Sequence, residues 1–168
     1  MQDHERTPPP LTADERATLT GLLQFQRDTL AMKCAGLTAD QLREQAVAPS
    51  TLSLLGLVRH LATVERGWFR NVIAAERAAL LWPGAAAGES AEWEVGSADP
   101  DEAFRVWNEE CEHSRAIVDA AESLDLTGRH GDEAFSLRYV LGHMVEEYAR
   151  HNGHADLLRE RLDGVTGE

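Results

Sequence analysis

From residue 54 to residue 72 the apolar side chains Leu54, Leu57, Val58, Leu61, Val64, Trp68 and Val72 recur at the i, i+3, i+4, i+7 spacing. At 3.6 residues per turn that spacing gathers them on one face of an α-helix. A helix with one apolar stripe has to bury it against other elements. Ser53 is the predicted cap, and the helix is expected from about Leu54 to Ala79.

Three more stretches repeat the pattern. Thr12-Ala-Asp-Glu15 reads as a capping box ahead of a helix from about Ala13 to Ala35, with Gly36 as its stop. Asp99-Pro100-Asp101-Glu102 supplies a cap, a proline at the first helical position and first-turn acids for a helix reaching about Ser123. The last helix is predicted from about Ser136 to Leu162, ahead of Gly164. A second box, Thr38-Ala-Asp-Gln41, marks a brief extra helix that ends before Pro49. Residues 125–135 read as a Gly-containing loop, and no segment alternates like a strand. The expected fold is all-α: a four-helix bundle over residues 12–168, preceded by a flexible leader at 1–11. Residues 83–98, rich in Gly, Ala, Ser and Glu, form a long loop between the second and third long helices. Such loops are often functional.

The charge balance narrows the partners. Against 29 acidic residues stand 16 basic ones, for a net charge of −13, and Lys33 is the single lysine. Nucleic-acid binding needs a basic footprint to neutralise phosphates, and none is visible. No apolar run approaches the ~20 residues that span a bilayer. MQDHERTPPP lacks the apolar core of a signal peptide, so a cytoplasmic protein is expected. Cys34 and Cys111 stand apart from any CxxC pattern and are expected to be free and buried.

One strip of the last helix is chemically distinctive. In EEYARHNGHADLLRERL, Glu147, His151 and His154 follow one another at spacings of four and three. On a wheel with His143 at zero, Glu147 falls near roughly 40°, His151 near 80° and His154 near 20°. Leu137, Val140, Met144, Tyr148 and Ala155 mark the apolar face at roughly 60–140°. Glu147 and His151 therefore border the core face, one turn apart, with His154 nearer the rim. The second long helix offers His60 among Leu57, Leu61 and Val64. Together His60, Glu147 and His151 make a His₂-carboxylate set able to hold a divalent ion with positions left open. Zinc is the first expectation, and nickel and iron suit the same donors. His154 is open between a fourth ligand and an acid or base beside the ion. The plainer readings stand beside these: His60 as a hydrogen-bonded core histidine, and Glu147 with Arg150 or His151 as a surface pair.

The segments LVRHLATVERGWF and HMVEEYARHNGHADLLRE resemble the DinB superfamily. More narrowly, they resemble the branch related to mycothiol-dependent maleylpyruvate isomerase and other thiol-dependent transferases. The resemblance runs from about residue 12 to 164. It implies a metal-binding four-helix bundle with His60, Glu147 and His151 as ligands. Many DinB relatives carry histidine where this chain has Glu147, whereas the isomerase branch has glutamate. Where this chain has His154, relatives often have glutamine.

Glu147 brings one negative charge and neutral imidazoles bring none, so a divalent ion there favours an anionic further ligand such as a thiolate. The expected function is a mycothiol-type S-transferase or thiol-assisted isomerase acting on a small electrophile. The alternatives are a metal-dependent hydrolase with His154 as general base, and a non-catalytic stress or interaction protein. Specificity is expected from the 83–98 loop, Trp68 and Trp107, and the assembly expected is a homodimer.

Overall fold

The computed structural model describes residues 6–167. Its helices are α1 (Glu15–Cys34), α2 (Ala39–Arg43), α3 (Leu54–Glu65), α4 (Pro100–Ala120) and α5 (Leu137–Asp163). Without a break, α3 passes into a π-helical stretch, Arg66–Ile73. Two short strands, β1 (Thr127–His130) and β2 (Glu133–Ser136), complete a mostly helical fold.

Each long helix begins on a side-chain cap that satisfies a backbone N–H with no partner inside the helix. Ser53 accepts from Gly56 N and Ser136 accepts from Tyr139 N. Asp99 accepts from Asp101 N ahead of Pro100. Thr38 and Gln41 form the full reciprocal box on α2. At α1 the expected box does not form: Asp14 is the cap, accepting from Ala17 N, and the helix starts at Glu15.

Packing pairs α1 with α5, and sets α3 against α4 and α5. Leu30, Leu54, Leu57, Leu61, Phe69, Leu137, Leu141 and Met144 are fully buried between them. Each such side chain contributes about 1.5–3 kcal/mol relative to exposure. The core also holds polar groups. Glu65 on α3 receives two bonds from Arg27 on α1, each 2.8 Å. Tyr148 on α5 donates to Glu65 at 2.8 Å and accepts from Trp107 Nε1 on α4 at 2.8 Å. One connected network thus takes a residue from each of the four long helices and sets their mutual register.

Two expectations are corrected. The second long helix does not reach Ala79. It ends at Ile73, and Ala75 and Arg77 adopt left-handed backbone, φ 54° and 55°. Asn71 bonds Ala78 through both its amide atoms, and Arg66 donates to the Ala79 carbonyl at 2.8 Å. These ties turn the chain back along the helix it has just left. Residues 125–135, read as loop, contain the hairpin of β1 and β2. Its antiparallel register pairs Thr127 with Ser136 and His130 with Glu133. Gly131, φ +57°, opens its two-residue turn. Gly128 lies so close to the end of the π-helical stretch that a Cβ there would overlap the Val72 carbonyl. Ser136 closes the hairpin and caps α5, which fixes where α5 begins.

In the described part of the leader, Arg6 lies over the Phe25 ring at 4.8 Å and Pro10 lies against Gly21. Residues 1–5, with His4, are outside the described residues. Among the described residues no helix is long and apolar enough to cross a membrane.

Candidate metal centre

His60 on α3 faces Glu147 and His151 on α5, 87 residues further along the chain. The spacing of four puts Glu147 and His151 on adjacent turns of one face. Packing of α3 on α5 brings His60 to them. His60 Nε2 lies 3.1 Å from Glu147 Oε1, and His151 Nε2 lies 3.2 Å from the same oxygen. Ligand atoms of all three residues fall within 4.8 Å of one another. Two donors about 2.0–2.1 Å from one tetrahedral zinc stand ~3.3 Å apart, close to the two contacts that Glu147 Oε1 makes. The side chains are 18, 18 and 11% exposed for His60, Glu147 and His151. The cluster is thus mostly desolvated, with one side still reachable from solvent.

The other ring nitrogens are engaged as well. His60 Nδ1 meets Glu92 Oε1 at 2.9 Å, and the Trp93 indole stacks on the His60 ring at 4.8 Å. His151 Nδ1 meets His154 Nδ1 at 3.3 Å, on the side of the ring away from Glu147. Each Nε2 therefore turns inward and each Nδ1 outward.

Burial works against charge on His60, but the bonds to Glu92 and Glu147 outweigh it and raise the imidazole pKa. Burial likewise opposes charge on Glu147 and Glu92. Their bonds to His60 nevertheless hold both carboxyls below the usual carboxylate range. His151 moves the other way: burial and the nearby His60 charge lower its pKa, which keeps it neutral. The cluster gathers two carboxylates around one imidazole whose inner proton a divalent cation can replace.

The three residues singled out as ligands are thus brought together, and His154 lies behind His151. Glu92 and Trp93 were missed. The length of the 83–98 loop marks it as functional, but loops have no period that points a side chain at a helix. Trp107 was expected near the specificity surface and instead is buried, donating to Tyr148. Trp68 packs with Phe135 and His143. His113 meets the Glu109 carbonyl within its own helix, and His130 lies beside Trp68 and Val72.

The cysteines are poorly placed to act as nucleophiles in this fold. Both are buried and free. Burial pushes the Cys34 thiol up to about 12, and burial beside Glu65 raises Cys111 as well. A groove of about 490 Å³ runs between α1 and α4, lined by Arg16, Leu23, Arg27, Phe69, Ser114 and Leu141. It includes no residue of the His–Glu cluster, and Arg16 and Arg27 in it already have protein partners. The donor atoms of two imidazoles and a carboxylate converge at the cluster, and the groove holds no such set, so the cluster is the better candidate for chemistry.

Comparison with known proteins gives one match. A family model described as mycothiol-S-transferase matches residues 18–164. No curated protein and no solved structure matches the chain.

Proposed function

The chain belongs to the mycothiol-S-transferase family, within the DinB-like superfamily, and from that premise we propose that it is a divalent-metal-dependent thiol S-transferase. The observation that carries the proposal is the convergence of His60 Nε2, His151 Nε2 and Glu147 Oε1 within 4.8 Å. These three are the ligands, and zinc is the ion. The helices are read as the superfamily's four-helix bundle, on the strength of the α1–α5 and α3–α4 pairing and the network that joins all four.

A divalent ion in this position supplies one thing, a lowered pKa for a thiol that binds it, so that thiolate forms at neutral pH. The chain's own residues do the rest. Glu147 offsets one of the ion's two charges and leaves a net positive site that prefers an anion. The partly buried setting strengthens that preference. His154 Nδ1 lies 3.3 Å from His151 Nδ1; with the proton of His151 held between them, His151 Nε2 would be free to hold the ion. The co-substrate is a mycothiol-type thiol, and the second substrate a small electrophile held beside the sulfur.

Elemental analysis of purified protein tests the ligand set. Wild type should carry about one divalent ion per chain, and Glu147→Ala should carry none. Full occupancy in that variant would remove Glu147 from the set. Turnover that is indifferent to added thiol would move the site to hydrolysis, with water in the thiol's place.

A further inference from the structure

We infer that Glu92, carried by the loop between the π-helical stretch and α4, is a positioning residue for the metal ligand His60. The inference rests on the metal-site reading above and extends that site into a loop 32 residues from His60. Glu92 Oε1 sits 2.9 Å from Nδ1, whereas Glu147 faces Nε2. A carboxylate at Nδ1 fixes the proton there, because it can only accept. The Nε2 lone pair is then left for the ion, and the ring becomes a stronger donor.

The surroundings of Glu92 are built to hold it. Its other oxygen accepts from Ser90 Oγ at 3.2 Å. The side chain is only 13% exposed, so its charge needs a fixed partner, and His60 provides one. The loop is clasped to α3 at the residue next to the ligand. Arg59 donates to the Glu94 carbonyl at 2.6 Å, and its guanidinium lies 4.6 Å from the centre of the Trp82 ring. Trp82 Nε1 donates to the Arg59 carbonyl at 3.0 Å, and Ala91 N donates to the Trp82 carbonyl at 2.8 Å. Trp93 covers the face of His60, and its ring leaves little room for a Cβ at Gly56. The two histidine ligands therefore have different supports, a carboxylate behind His60 and an imidazole behind His151.

The test is a zinc titration of the full-length protein against a chromophoric chelator, with wild type, Glu92→Ala and Glu92→Gln. All three should bind one ion. Glu92→Ala should bind it about 10- to 100-fold more weakly. Glu92→Gln should fall between, because its amide oxygen still accepts the Nδ1–H. In zinc-loaded wild type, an exchange-protected imidazole N–H resonance close in space to the Trp93 ring should be seen by NMR, and Glu92→Ala should lack it. Wild-type affinity in Glu92→Ala would overturn the inference while leaving the metal centre standing. Retention of the protected N–H in that variant would overturn it as well. If wild type takes up neither zinc nor nickel, the reading on which the inference rests is what fails. Should Glu92→Ala not fold, the glutamine variant alone carries the comparison, and wild-type zinc affinity in it counts against the assignment.

Discussion

Glu65 lies fully buried on α3, where Arg27 and Tyr148 hydrogen-bond its carboxyl group. Burial opposes the charge on Arg27, yet Glu65 more than offsets it and raises the guanidinium's pKa. Removing one partner strands the other. Glu65→Ala should therefore cost about 3–5 kcal/mol in urea unfolding, whereas replacing Arg27 and Glu65 together by Met and Leu should cost less. An additive double loss would contradict the pairing. Tyr148→Phe keeps the ring and deletes the hydroxyl between Trp107 and Glu65. It should cost about 1–3 kcal/mol, mainly from the buried indole N–H left without an acceptor. The same burial governs the thiols. Cys34 and Cys111 should react with an aromatic disulfide reagent only as the protein unfolds, and rapid labelling of the native protein would show that one of them is accessible.

At the scale of elements, the end of the second long helix shows how tertiary ties override local preference. The run from Ala74 to Ala79 is rich in helix formers, so the periodic pattern extends through it. The chain turns back instead, and this is what lets the loop reach Arg59 and His60. Six further helical residues would carry it about 9 Å onward. Ala75→Gly separates the two states. In a helix it would cost about 1 kcal/mol. At φ 54° it should be neutral or slightly stabilising, because glycine adopts left-handed backbone without strain. A loss near 1 kcal/mol in thermal unfolding would argue for the longer helix. Gly128→Ala should cost about 1–3 kcal/mol, since the hairpin must move off the Val72 carbonyl. The long helices were legible because an apolar stripe and a cap are local signals. The hairpin was not, because four-residue strands such as TGRH and EAFS are too short to alternate visibly. The site divides in the same way. Spacing on α5 places Glu147 beside His151, and the apolar strip around His60 turns it inward. Glu92 depends on a loop path set by Asn71, Arg59 and Trp82, which no period encodes.

At the scale of the molecule, the proposed ligand set joins residues far apart in sequence and so would link an ion to global stability. His60 and Glu147 are 87 residues apart. An unfolded chain does not hold His60, Glu147 and His151 together, so an ion bound to the cluster stabilises the folded state by mass action. With free zinc at 100 times its dissociation constant, the gain is about 2.7 kcal/mol. For a chain of this length that gain raises the melting temperature by about 5–11 °C. The net charge of −13 draws cations to the surface without selecting among them. A specific site is therefore separated from diffuse attraction by a variant that leaves the surface almost unchanged. Melting curves should rise by that margin in wild type when zinc replaces a chelator, and should stay level in His151→Ala. An equal rise in both proteins would assign the stabilisation to the acidic surface. No rise in wild type would leave the His–Glu cluster as a hydrogen-bonded contact between α3 and α5.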